Sequence, residues 1–250
     1  GSEMCIRDSN NSMEDYLGLI SGVHSRVKNI VLRQNGIKQR FYAVNTKQEM
    51  THTNAELAQL SIQKLLTEAL LPLQELELLA CATASPDQVL PSHASMVHGL
   101  LKNTPMEIFS ASGICLSCVQ AFKIAYLSIL AGDKRNAVCS CSELASAGLL
   151  SKNFDVEYEK CANLGIQPYM ALEKDFLRFM LSDGASAVLL QDNPGKGKAL
   201  HIEWVEMTSY ANELPTCMFM GAEKEKNGEL KSWKSFSSQE LTDRSLFTVK

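Results

Sequence analysis

No apolar run in the 250 residues reaches the roughly 18–20 that a membrane span requires, so no transmembrane helix is expected. The first residues lack an apolar h-region, and no signal peptide is predicted. Lysine and arginine never gather into a stripe and the net charge is -4, which argues against a nucleic-acid partner. There is no repeat at solenoid spacing and no low-complexity tract. A secreted disulfide framework is not expected either. Eight cysteines are present, but Cys81, Cys115, Cys118, Cys139 and Cys141 fall inside apolar segments. They read as free, buried thiols of a protein in the reducing cytoplasm.

What is present is material for a core, since 45% of the residues are hydrophobic, enough for one large domain or two ordinary ones. Residues 1–11 carry no period and are expected to lie outside the fold as a tag or scar, Cys5 with them. Ser12, with Asp15 three residues on, opens a predicted helix that carries Leu17, Ile20, Val23 and Val27. Thr53 with Glu56 opens a second. Strands are expected over Glu77–Thr83, Glu107–Ala111, Asn136–Cys141, Ala185–Leu190 and Leu200–Met207. Helices are expected over Ser92–Leu101 and Leu116–Leu130, the latter closed by Gly132. Alternating strands and helices argue for an α/β domain with parallel pairing. Residues 193–198 are expected to form a turn cluster, and the tail from Glu213 onward is polar and poorly periodic.

The chemistry centres on Cys115. Strand, small-residue turn at Gly113 and helix meet there, so the side chain is held out of the sheet beside unpaired N–H groups and the positive end of a helix dipole. That setting favours thiolate. The same pattern also suits a small core residue. A third reading takes Cys115 and Cys118 as a C-x-x-C thiol–disulfide module. Cys139 and Cys141, one residue apart on a strand, are read as facing opposite sides, which leaves zinc without a ligand set.

The motifs around this segment resemble a family. Ser85-Pro86-Asp87 with Pro91-Ser92, then an alanine-bearing strand ending in Cys115, is similar to the type III ketoacyl-ACP synthases. So are Gly36-Ile37-Lys38-Gln39-Arg40, Ala131-Gly132-Asp133 with Asn136-Ala137-Val138 and Ser142-Glu143, and Ser182-Asp183-Gly184-Ala185 leading into the last apolar strand. The likeness runs from about Met13 to about Leu190. It implies an α/β, thiolase-like fold of αβαβα layers, incomplete here, in a homodimer. It also implies acyl loading on Cys115 from a thioester of acyl carrier protein or coenzyme A, with no bound cofactor and no metal. A malonyl-type thioester would then lose carbon dioxide and attack. Acyl transfer to an alcohol or amine, and a non-catalytic partner subunit, are the alternatives.

Residues 12–195 would be the half carrying the nucleophile, without the family's first strand, and 196–250 the start of a connection. None of the five histidines sits in the family's catalytic context. The catalytic His and Asn are therefore expected beyond residue 250, and His93 and His98 read as packing or dimer contacts. Residues 30–35 lack the aromatic ring that stacks on adenine in coenzyme A users, which favours a carrier-protein donor. The apolar insertion over residues 154–180 resembles the secondary-metabolism subgroup. The helix of residues 92–101 is apolar enough to suggest a dimer interface, with Met96 or Val97 near the partner.

Overall fold

The computed structural model describes residues 6–157, 159, 176–193 and 199–249. Contacts divide it into two compact units. One holds His52–Glu143 and Gly184–Ser209. The other holds Glu3–Thr51, Leu144–Asp183 and Tyr210–Lys250.

The first unit is a sheet between two helical layers. Its strands, numbered along the whole chain, are β3 (Leu78–Thr83), β4 (Glu107–Ser112), β5 (Asn136–Glu143) and β6 (Gly184–Gln191). They lie in the order β4-β3-β5-β6. β3 is buried at every position, as its unbroken apolar run requires of a central strand. β4 and β5 pair with it in parallel. The expected parallel pairing fails at β6, which runs antiparallel to β5. An apolar run gives a strand's burial and not its direction.

Helix α3 (Asn54–Ala69) starts as the sequence predicts. Thr53 Oγ1 accepts from the Glu56 N–H, and Glu56 accepts from the Thr53 N–H at 2.8 Å. With α4 (His93–Leu101) it covers one sheet face through Ala58, Ile62, Leu66, Leu79, Val97 and Val138. Val97 is fully buried there, so it does not face a partner. Helix α5 (Leu116–Leu130) covers the other face. Ala121 and Ala125 meet Ala80, Ala82, Ala111 and Ala137, and methyl-sized side chains on both sides let helix and sheet pack closely. Cys139 and Cys141 both belong to this face. Positions i and i+2 of a strand point the same way, so the expectation of opposite faces was wrong. The predicted strand over Leu200–Met207 does not form. No ladder holds that run, and Leu200 is 97% exposed.

In the second unit, β1 (Ile6–Ser9) pairs antiparallel with β2 (Gln39–Tyr42). Part of the stretch expected outside the fold is thus in a ladder, since backbone pairing needs no side-chain period. The helix predicted from Ser12 splits. α1 (Met13–Leu17) stops before Gly18, at φ 78°, and α2 (Lys28–Asn35) begins afresh. The segment between them is tied by Glu14, which accepts from the Ser25 N–H at 2.9 Å and from Lys28 Nζ at 3.1 Å. Met13, Leu17, Val31, Tyr42, Val44, Leu149 and Phe179 form this unit's core. Buried Arg178 donates to the carbonyls of Leu17, Gly18 and Leu149. The polar tail carries a hairpin, β7 (Ala222–Lys224) and β8 (Leu230–Ser232), and helix α6 (Ser238–Asp243). Two signals for these were in the sequence: Asn227-Gly228 at the turn, and Ser237 with Glu240 as a capping box. Most of the insertion that suggested a secondary-metabolism subgroup lies outside the described residues.

Candidate active site

Parallel strands β3, β4 and β5 end along one edge of the first unit, where open α/β sheets bind ligands. Register pairs Thr83 with Ser112, so the turn after β4 and the loop after β3 start side by side.

The turn after β4 is built by two residues. Gly113 has φ 151°, a conformation side chains disfavour. Ser117 then pins the turn, its N–H donating to Ile114 O at 2.9 Å and its Oγ to Gly113 O at 3.3 Å. Cys115 thereby takes the N-cap position of α5, with an exposed side chain.

The neighbouring cysteines differ from it. Cys81 is fully buried, and burial, with Cys139 beside it, holds its thiol well above the usual range. Burial pushes the Cys139 thiol up to about 11. Cys118 and Cys141 are paired as a disulfide across α5 and β5. This corrects the reading of all these cysteines as free thiols. It also removes the Cys115–Cys118 couple, because Cys118 is engaged elsewhere. Among the described residues of this unit, Cys115 is the exposed thiol.

Sequence reasoning missed a polar network at the base of the loop of residues 84–92. Glu143, last residue of β5, accepts from the Ala84 N–H at 2.7 Å and from Ser85 Oγ at 2.6 Å. Asp87 accepts from the N–H groups of Asn54 and Ala55 at 2.7 and 2.9 Å, adding an anion at the start of α3. Asn54 Nδ2 donates to Thr83 Oγ1 and to Ser85 O. The Ser85-Pro86-Asp87 motif is thus a loop anchor, and nothing in its local pattern names partners 30 to 60 positions away.

His93 is packing, one of the two readings the sequence allowed. It is 3% exposed, with Nε2 3.0 Å from Ser142 Oγ. Burial lowers its pKa against a smaller opposing pull from Asp87. The unfolded chain therefore binds the proton more readily, and the native state loses stability as pH falls through the ordinary histidine range near ~6.5. We expect denaturation midpoints to drop between pH ~7 and pH ~5 by more in the wild type than in His93→Gln. Equal drops would show that His93 does not titrate on unfolding.

No family model matches the chain. A beta-ketoacyl-acyl-carrier-protein synthase III of Rhodospirillum centenum is 28% identical over 170 residues, which are 68% of this chain and 44% of that protein. The enzyme of the same description from Limosilactobacillus reuteri is 30% identical over 158 residues, 63% of this chain and 40% of its own length. Among solved structures, AbyA1, a tetronic acid condensing enzyme, superposes with a TM-score of 0.67 at 19% identity, over 92% of this chain and 65% of that one. The chain is similar in sequence to type III ketoacyl-ACP synthases and has a thiolase-like fold. OleA of Xanthomonas campestris, crystallised with lauric acid and lauroyl-CoA, matches this thiolase-fold chain at a TM-score of 0.52 and 18% identity, over 73% of the chain and 51% of OleA. The chain thus spans less than half the length of each of these two synthase III relatives.

Proposed function

We propose that the protein is an acyltransferase of the ketoacyl synthase III type in fatty-acid or polyketide-type biosynthesis, with Cys115 as its nucleophile. One observation carries this reading. Cys115 stands exposed at the head of α5 on the ligand-binding edge of the sheet, while the other described thiols of its unit are buried or paired. In the first step the Cys115 thiolate attacks the carbonyl of an acyl thioester, a C–S bond forms, and the carrier thiol leaves with a proton. In the second, a malonyl-type thioester loses carbon dioxide. Its carbanion attacks the acyl-Cys115 carbonyl, a C–C bond forms, and the Cys115 thiolate is released. The resemblance supports both steps, and the fold match supports the scaffold. No metal or resident cofactor enters either step.

A carrier-protein thioester is the preferred donor, since residues 30–35 of α2 offer no aromatic ring for adenine. A cytoplasmic homodimer completes the proposal. Its support is the resemblance and β4, a sheet-edge strand paired on one side only among the described residues. No helix among the described residues is long and apolar enough to cross a membrane.

Iodoacetamide mapping of the full-length protein tests the assignment. Cys115 should label before Cys81 and Cys139, because its thiol is exposed and theirs are held protonated by burial. Equal labelling of the three would remove Cys115 as the reactive thiol.

A further inference from the structure

Three cysteines lie where α5 packs on β5, and one of them, Cys118, is within one helical turn of the candidate nucleophile. Cys118 and Cys141 are joined with a Cα–Cα distance of 5.7 Å, inside the span disulfides bridge. Cys139 Sγ is 3.9 Å from the Cys118 carbonyl oxygen. Cys118 and Cys141 are both half-buried, within reach of a small reagent, whereas Cys139 is 4% exposed. The poor ionisation of Cys139 makes it a weak attacking thiol, so exchange at Cys118 is left to Cys141.

Position gives the pair a consequence. Cys115 is the N-cap of α5, which makes Cys118 the third helical residue. Cys115 itself has helical backbone angles and makes no side-chain cap hydrogen bond, so it meets the positive end of α5 through the first turn as a whole. A bond from Cys118 to a central strand fixes that turn. Without it, the first turn of α5 is held mainly by Gly113, Ser117 and packing.

We propose that Cys118 and Cys141 form a reversible thiol–disulfide site that fixes the first turn of α5 and thereby sets the reactivity of Cys115. The consequence for catalysis rests on the reading of Cys115 as nucleophile. Oxidation runs through a small-molecule disulfide such as oxidised glutathione. The thiolate of one cysteine attacks it and releases one glutathione thiol, leaving a mixed disulfide. The second cysteine's thiolate attacks the protein-side sulfur and releases the other. Two protons and two electrons leave the protein pair, and the electrons reduce glutathione disulfide to two thiols. A dithiol reverses both steps.

The test uses the full-length protein, treated either with dithiothreitol or with oxidised glutathione, freed of reagent, and then timed with iodoacetamide before peptide mapping. The expected result has Cys118 and Cys141 recovered cross-linked after oxidation, with Cys81 and Cys139 as free thiols. Cys115 labels about three-fold or more faster in the oxidised form, the size of one helix-terminus interaction. That difference disappears in Cys141→Ser and in Cys118→Ser. Recovery of Cys118 as a free thiol, its cross-linking to Cys115, or equal Cys115 rates in the two forms overturns the proposal. Failure of the nucleophile reading looks different. Cys115 would then label no faster than Cys139 in either form, while the ratio between forms still decides whether the pair controls it.

Discussion

Replacing Cys115 by alanine is expected to lower acyl transfer by the full-length protein on the order of 10³-fold or more, with the fold unchanged. The size follows from the role proposed for the residue. Without the thiolate there is no covalent acyl intermediate, and the two-step route is closed. The fold is spared because the side chain is exposed and the turn is held by Gly113 and by the hydrogen bonds of Ser117. Turnover with an acyl thioester and a malonyl thioester, measured beside a thermal melt, separates the two effects. A variant that keeps a tenth or more of wild-type turnover would place the chemistry elsewhere.

Val97→Glu is expected to abolish folding rather than to divide a dimer. Val97 packs in α4 among Ala55, Ile62, Leu79, Leu101 and Val138, a cluster of hydrophobic residues. A carboxylate there is desolvated with no cation to meet it, a cost of at least about 3 kcal/mol. That is a large part of the 5–15 kcal/mol, roughly, that keeps a domain folded. Val97→Ala removes only methyl groups and should cost roughly 2 kcal/mol. Circular dichroism and size-exclusion chromatography distinguish the outcomes. Loss of the cooperative melt fits a core position. A folded monomer from a wild-type dimer would return Val97 to an interface.

How far the sequence could be read depends on the range of each interaction. Local ones were legible. Thr53 and Glu56 close a capping box within one helical turn, and the predicted start of α3 holds. The apolar run of β3 and the break at Gly113 before α5 place the strand–turn–helix junction at Cys115 correctly. Interactions that join distant segments were not. Glu143 grips a loop some 60 positions earlier, and Cys118 reaches Cys141 across 23 positions with no local sign of either partner. Val97 of α4 was expected near a partner because the pattern does not say that α3 and the sheet already cover it. The run over Leu200–Met207 carries strand-forming residues, but a strand needs a ladder, and none reaches it among the described residues. The opposite error fell on residues 6–9, where pairing with β2 made a strand that the side chains did not announce.

The most direct test of the account is to trap the first covalent step. The full-length protein is mixed with an acyl carrier protein thioester in the absence of any malonyl thioester, quenched in acid and digested. The peptides are then weighed. The account predicts one acyl adduct, on the peptide that carries Cys115, lost again when malonyl thioester is added before the quench. An adduct on another cysteine, or product formation with no adduct on Cys115 at any time, would contradict it.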